Sequence, residues 1–371
     1  MKIFVTYVSA GSGHKKIAES IADHFKHDFP QYDIRILDAL TYTNTILKKI
    51  YSGVYDFLVK YAKWLWSVCF WLTDVTWLYP LSRTLMFISH RLTTQGFANL
   101  LLKEQPDIVI STHFLPSEIV SYLKDKNRLQ SSLVTVITDF GAHSYWIQNR
   151  TGLYCVASTA TKEILISKGV ADNRISVTGL PIDEKFSAAY DRSKVRVKLQ
   201  LEDNRFTALI MTGSFGIGPI EEIVTCLQGK VRFLVVCARN DLLFKRLNML
   251  NLPDVLVFGF IDYVYELMAV SDVIITKPGG STISEILAFE LPPIFISAIP
   301  GQEYENARVL NEYKIGVTPR SVNELAEIIL DYKSHPEKIA AVKASMKKVF
   351  IPHADSELVN AIRKSGIRAS A

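Results

Sequence analysis

The strongest constraint on this chain is a repeating couple, a short β-branched run followed by a stretch whose apolar residues recur at helical spacing. The strand-like runs are residues 3–8, 34–37, 108–110, 133–137, 175–177, 209–211, 233–236, 255–257, 273–276 and 294–296. Amphipathic stretches such as 14–29, 159–168 and 281–289 separate them. Alternation of this kind predicts parallel sheets joined by crossover helices. Ten strands in 371 residues suit two open sheets better than one, and two domains follow. The polar stretch 179–200, opening with Gly179-Leu180-Pro181, has turn residues and no strand pattern and is the expected seam. The expectation is therefore α/β: two Rossmann-like domains, 1–185 and 195–371, facing across a cleft with ligands at the carboxyl ends of the strands.

Composition removes several classes. Apolar residues make up 49%, charged residues 21% and the mean hydropathy is +0.16, which excludes a disordered or collagen-like chain. Cys69, Cys155, Cys226 and Cys237 are scattered, with no C-x-x-C, so neither a disulfide framework nor a zinc knuckle is expected and reduced thiols are. Met1-Lys2-Ile3-Phe4-Val5 reads as the start of a strand rather than as a signal peptide. No H-E-x-x-H, G-x-S-x-G or D-x-D occurs, so a zinc peptidase, a serine hydrolase and a metal-chelating sugar-nucleotide site lack their usual signatures. No aromatic and basic stripe matches an RNA-recognition pattern, and no nucleic-acid partner is expected. His24 and His27, three residues apart with no third ligand nearby, read as solvated surface.

Charge singles out one segment. Residues 1–180 hold 19 Lys and Arg against 14 Asp and Glu, and the remainder 23 against 23, so the whole net +5 lies in the first half. Within 40–103, seven bases face only Asp56 and Asp74. The stretch 42–97 also holds thirteen aromatics, roughly twice the chain's average density, and four of the five tryptophans. Its most apolar run, 64–72, is far shorter than the about twenty residues of a spanning helix. Aromatics mixed with cations suit an interfacial element on an anionic membrane surface. The alternative is a helical subdomain with a buried aromatic core and a solvated basic face.

Four loops between strand and helix carry candidate chemistry. Ser9-Ala10-Gly11-Ser12-Gly13-His14 follows the first strand, where glycines allow a tight turn and the helix start offers free N–H groups. It lacks the Gly-Lys-Ser/Thr of a P-loop, and a plain strand-to-helix turn is the competing account. Thr212-Gly213-Ser214-Phe215-Gly216-Ile217-Gly218 suggests a phosphate cradle whose spacing fits a nucleotide sugar rather than a dinucleotide. Thr276-Lys277-Pro278-Gly279-Gly280-Ser281-Thr282-Ile283-Ser284-Glu285 sets a helix N-terminus behind a Pro-Gly-Gly turn, suited to a diphosphate, with Glu285 one turn in to accept ribose hydroxyls. Thr282-x-x-Glu285 is equally a capping box, which needs no ligand. Pro300-Gly301-Gln302-Glu303 sets amide and carboxylate side by side, able to hold sugar hydroxyls or to cap a helix.

These residues together resemble glycosyltransferase family 28, in particular its diacylglycerol glycosyltransferase branch, the monogalactosyldiacylglycerol synthases and processive diacylglycerol glucosyltransferases. The resemblance rests on Gly11-Ser12-Gly13-His14, Ile137-Thr138-Asp139-Phe140-x-x-His143-x-x-Trp146, a strand at 154–157, Thr178-Gly179-Leu180-Pro181-Ile182, the Lys277–Glu285 loop and Pro300-Gly301-Gln302-Glu303-x-x-Asn306-Ala307. It implies a GT-B fold, metal-independent inversion at the anomeric carbon, peripheral attachment at the cytoplasmic face of the cell membrane, and no cofactor beyond the UDP-sugar substrate. It also implies a last helix packing back on the first domain. Carried onto this chain, it makes His14 and Asp139 catalytic, and gives the donor Gly213, Ser214, Phe215, Gly216, Phe260, Ile261, Gly279, Gly280, Ser281, Thr282, Glu285, Gln302 and Glu303. It assigns Gly13, His143, Trp146, Lys60, Lys63, Trp64, Trp66 and Trp71 to the acceptor and membrane. His14 is the expected base, with Asp139 orienting or replacing it. The implied activity moves glucose or galactose from UDP to diacylglycerol. Competing readings are an inactive nucleotide-sugar sensor that binds membranes, an N-acetylglucosaminyltransferase acting on a lipid diphosphate, and a soluble 2-epimerase on the same fold.

Overall fold

A computed structural model describes residues 1–9, 12–43, 63–74, 94–201, 205–213 and 216–366, apart from the side chains of residues 12, 63–67 and 69. The alternation folds into two parallel sheets. The first runs β2-β1-β3-β4-β5-β6, built from β1 (Lys2–Tyr7), β2 (Asp33–Asp38), β3 (Ile108–Ser111), β4 (Ser132–Ile137), β5 (Leu153–Val156) and β6 (Ile175–Val177). The second runs β11-β10-β7-β8-β9, from β7 (Thr207–Met211), β8 (Arg232–Val236), β9 (Val255–Phe258), β10 (Val273–Thr276) and β11 (Pro293–Phe295). β5 is not among the β-branched runs, because Leu-Tyr-Cys-Val carries one β-branched residue in four, and only the family resemblance set a strand there, at 154–157.

Both sheets are covered on two faces, so their central strands are buried along nearly their whole length rather than at alternate residues. Ile3, Phe4 and Val5 of β1 are wholly buried, as are Ala208, Leu209 and Ile210 of β7. Each such large side chain taken from water contributes about 1.5–3 kcal/mol. Cys155 and Cys237 are free thiols within these layers, pushed by burial up to about 12 and about 11.

One compact unit comprises Met1–Ile182, Ile299–Glu305 and Ile351–Ala371, and the other Asp183–Ala298 and Asn306–Phe350. The stretch 179–200 is not a bare linker, as its composition suggested. It contains the helix Arg192–Lys198, capped where the Asp191 carboxylate accepts from the Ser193 and Lys194 amides and tied down by Arg192 to Asp272 at 2.7 Å. Two valines among charged residues are too few to show a helical stripe.

The last helix, Ala354–Lys364, buries Leu358, Val359 and Ile362 and packs on the helix Ser12–Asp28. His24 lies between the two, its Nδ1 3.0 Å from Asp355 and its Nε2 3.3 Å from Asp28. It is therefore a largely covered residue between two carboxylates and not the solvated one its spacing suggested, whereas His27 is exposed. From the aromatic and basic segment, the helix Lys63–Asp74 is described, while 44–62 and 75–93 lie outside the described residues. No helix of the described residues is long and apolar enough to cross a membrane.

The return of the chain at 351–354 explains Gly179. Its φ of +72° is the left-handed region, and a Cβ there would sit 2.9 Å from Ile351 Cβ and 3.1 Å from Ala354 Cβ. Gly169, at φ +90°, has nothing within 4 Å of the same position. Gly179→Ala is expected to destabilise by about 2–4 kcal/mol, from backbone strain plus overpacking, and Gly169→Ala by the strain alone, about 1 kcal/mol. Equal losses in urea denaturation would show that the packing of 351–354 on Gly179 carries no weight.

Candidate active site

In each unit the candidate residues gather where the strand order reverses direction. From β1 the chain proceeds outward to β2 and then returns to β3 on the other side; from β7 it proceeds to β8 and β9 and returns to β10. Loops leaving adjacent strands at such a point diverge and leave room for a ligand.

In the first unit, parallel register aligns three strand ends. Thr6 pairs with Ser111 and Ser111 with Thr135, so β1, β3 and β4 finish side by side. The residues that follow converge on His14, which lies in the first turn of the helix Ser12–Asp28, with Gly13 just before it. His14 Nδ1 is 2.8 Å from the Thr112 carbonyl and 3.0 Å from Thr138 Oγ1. The Thr112 hydroxyl reaches back to the His14 carbonyl at 3.0 Å, and the Thr112 amide bonds to the Thr6 carbonyl at 2.9 Å. A carbonyl can only accept, so His14 carries its proton on Nδ1 and shares it with the Thr138 oxygen. Nε2 then bears the lone pair of a base. His113 meets the His14 ring edge-on at 4.9 Å, and Trp146 lies 6.5 Å away. Burial lowers the His14 pKa from 6.5 to about 4, against a smaller upward pull from the Thr112 carbonyl, so the ring is neutral at physiological pH.

Asp139 is buried, but among the described residues it makes no hydrogen bond to His14. The expectation that it orients the histidine is corrected: backbone and threonine do that. Asp139 Oδ2 instead accepts from Gln302 Nε2 at 2.6 Å. The Glu303 carboxylate accepts from the Ile299 amide at 2.6 Å, closing its own loop at the start of the helix Gln302–Glu312.

His143 and Trp146 are buried, so neither presents itself to a membrane surface. Trp146 packs among His113, Phe114 and His14. His143 Nδ1 accepts from the Tyr145 amide at 3.1 Å and its Nε2 donates to the Phe70 carbonyl at 3.2 Å. Burial lowers its pKa to about 4 as well, against the upward pull of Asp74. Both nitrogens are engaged, and this histidine holds structure. The Trp71 side chain is 65% exposed, while Lys60 and the side chains of Lys63, Trp64 and Trp66 lie outside the description.

In the second unit, Met211 pairs with Thr276, which brings the loops after β7 and β10 together. Gly213 has φ +80° and open space where a Cβ would stand, and Gly216 has φ +53°; Ser214 and Phe215 lie outside the described residues. The helix Gly280–Phe289 starts at Gly279, an N-cap without a side-chain hydrogen bond, and a Cβ on Gly279 would also meet open space. Gly280, Ser281 and Thr282 therefore form the first helical turn, with N–H groups and dipole turned outward toward an anion. The capping-box alternative falls, since Thr282 is inside the helix rather than at its cap; Glu285 is buried in the second turn. Phe260 is 71% exposed beyond β9, with the Arg239 guanidinium 6.0 Å from its ring centroid, and Ile261 follows it half-buried.

Several contributors had no role assigned from sequence, although Thr138, Thr212 and Asn306 stand in the motifs quoted above. Thr112, His113 and Thr138 follow strand runs already recognised, and strand order alone makes them neighbours of His14. Thr212 Oγ1 is buried at the head of the glycine loop with no hydrogen-bond partner among the described residues. Asn306, wholly buried, donates to the Pro278 carbonyl at 3.0 Å and so pins the Pro-Gly-Gly turn.

The family model of monogalactosyldiacylglycerol (MGDG) synthase matches residues 14–182, and that of the glycosyltransferase family 28 C-terminal domain matches residues 207–358. A processive diacylglycerol beta-glucosyltransferase of Bacillus pumilus is 26% identical over 97% of this chain and 94% of its own length. The protein of the same name from Staphylococcus haemolyticus is 32% identical over 70% of this chain and 68% of its own. Among solved structures, Acinetobacter baumannii MurG aligns with a TM-score of 0.62 at 13% identity, covering 98% of this chain and 99% of that one, which is a likeness of fold, GT-B. Matched by both family models in sequence and by relatives along nearly its whole length, the chain belongs to glycosyltransferase family 28, in its diacylglycerol glycosyltransferase branch.

Proposed function

We propose that this protein is an inverting glycosyltransferase that moves glucose or galactose from UDP to the free hydroxyl of diacylglycerol, forming a β-glycosyldiacylglycerol. The observation that carries the reading is His14, a neutral imidazole held in the Nδ1–H form in a chain of this family. The acceptor oxygen attacks the anomeric carbon on the face opposite UDP. As that C–O bond forms, the bond to the β-phosphate oxygen breaks and its electron pair leaves with UDP. The hydroxyl proton passes to His14 Nε2. The imidazolium that results keeps Nδ1–H on the Thr112 carbonyl and Thr138 oxygen, which strengthen their hold as charge appears. The first turn of the helix Gly280–Phe289 and the backbone at Gly213 and Gly216 take up the charge growing on UDP. Glu285 accepts the ribose hydroxyls, and Gln302 and Glu303 hold the sugar. We propose that no metal is needed, because fixed dipoles supply this stabilisation.

The relatives at 26–32% identity are named for diacylglycerol, and this favours diacylglycerol over a lipid diphosphate. We further propose peripheral attachment at the cytoplasmic face of an anionic membrane. Val68, Trp71 and Leu72 are exposed at helical spacing on the helix Lys63–Asp74, an apolar face within the basic segment.

Incubation with diacylglycerol vesicles and UDP-glucose or UDP-galactose should yield a hexosyldiacylglycerol by mass, undiminished by EDTA. His14→Ala should lower kcat by about two to four orders of magnitude with donor KM little changed. Near-wild-type turnover in a folded His14→Ala protein removes the base from this site. Because burial depresses the His14 pKa, the base is present above about pH 4 and lost by protonation below it. The acid limb of kcat/KM should therefore fall near pH 4; a limb at 6.5 would mean that His14 is not desolvated in the working enzyme.

Flotation tests the attachment. Binding should rise with anionic lipid and fall with salt, since the attraction is screened over about 8–10 Å at physiological ionic strength. Replacing Lys48, Lys49, Lys60 and Lys63 should weaken it while UDP affinity stays intact, and replacing Trp64, Trp66 and Trp71 should weaken it even at low salt. A wild-type protein that ignores anionic vesicles refutes the attachment.

A further inference from the structure

The last turn of the helix Lys63–Asp74 is tied into the first unit by contacts that the reaction as described does not use. Asp74 Oδ1 accepts from the Ser144 amide at 2.8 Å and the Ser144 hydroxyl at 2.6 Å, and pairs with Lys168 Nζ at 2.5 Å. Burial works to raise its carboxyl, but nearby His143, Lys168 and Ser144 outweigh that and hold it below the ordinary value. One turn earlier, the Phe70 carbonyl accepts from His143 Nε2, and the Phe70 ring lies 4.3 Å from the His143 ring. Gly301 also lies against that ring. A Cβ on Gly301 would fall 2.6 Å from Phe70 Cγ, and its φ is +92°.

Gly301 begins the loop that carries Gln302. Its carbonyl accepts from the Glu305 amide at 2.9 Å, and Glu305 in turn packs on Gly141, where a Cβ would lie 2.6 Å from Glu305 Cβ. The loop thus rests on the first unit at three places: Phe70 under Gly301, Asp139 under Gln302, and Gly141 under Glu305. Two of these belong to the 139–141 segment after β4. The third comes from a helix distant in sequence, and it touches the one residue of the loop that has no side chain of its own to hold it.

We propose that Phe70 is a positioning residue for the sugar of the donor: the Phe70 ring, anchored through His143 and Asp74, props the Gly301 turn so that Gln302 stays on Asp139 and faces the hexose. The inference rests on the reading that Gln302 and Glu303 hold the sugar. With the ring present, the loop has one arrangement; without it, a space opens beneath a glycine, the residue with the widest choice of backbone angles.

Calorimetric titration with UDP and with whichever UDP-hexose the enzyme turns over separates the two layers. Gln302→Ala should weaken the UDP-hexose about tenfold or more and leave UDP within twofold. Phe70→Ala should do the same without touching either ligand, and Phe70→Leu, which refills most of the space, should recover most of the loss. Asp74→Asn, which keeps the shape and removes the charge, should give a smaller loss of the same kind and serves if Phe70→Ala does not fold. Should Gln302→Ala leave UDP-hexose affinity intact, the loop does not hold the sugar, and both readings fall together. Should Gln302→Ala weaken the UDP-hexose while folded Phe70→Ala or Asp74→Asn does not, the positioning role alone is overturned. A Phe70→Ala protein that loses UDP as strongly as UDP-hexose has suffered general damage, which also overturns it.

Discussion

The parallel pairing of β1 with β3, and of β3 with β4, is the interaction on which the first unit's chemistry depends. Backbone hydrogen bonds hold these strands in register from Ile3 with Ile108 through Ser111 with Thr135. That register brings the ends of the three strands together, so that Thr112 and Thr138 arrive at the same imidazole from positions 98 and 124 residues along the chain. A slip of one residue would turn every side chain of a strand to the opposite face and take Thr112 away from His14. The strands are buried on both faces, and the hydroxyls they carry at Thr6, Ser111 and Thr135 are each hydrogen-bonded.

Burial makes both His14 and His143 neutral, yet the two end in opposite tautomers. A carbonyl at Nδ1 leaves His14 with a basic Nε2, while an amide at Nδ1 and a carbonyl at Nε2 occupy His143 completely. One is suited to take a proton and the other to hold a helix end. The residue type and the shifted pKa are the same in both. The backbone groups facing each ring make the difference.

The second unit presents backbone dipoles at its candidate site. Gly279 caps a helix without any side-chain oxygen to occupy its N–H groups, and Asn306 fixes the turn in front of it through the Pro278 carbonyl. Such a turn presents positive potential that is already oriented toward an anion. Its preference for an anion follows from helix geometry.

Periodicity made the α/β class and most of the strands legible, because a β-branched run between amphipathic stretches has few other ways to bury itself. It failed at β5, where Tyr154 and Cys155 are fully buried without being β-branched, and at Arg192–Lys198, where two valines leave no stripe. Motif spacing singled out the loops of His14, Gly279 and Gln302, and the family resemblance added Asp139, but spacing offered Thr282 as a cap that the helix does not use, and the expected pairing of Asp139 with His14 gave way to Thr112 and Thr138. His24 looked solvated until the last helix brought Asp355 against it. What the sequence alone determined are properties local to a few turns of chain: element type, glycine loops and the excess of charge and aromatics in one segment. Strand order, the tautomers of two buried histidines, and the contact of Phe70 with Gly301 were decided only by tertiary structure, because each depends on groups about a hundred residues or more apart, or on partners that only folding brings together.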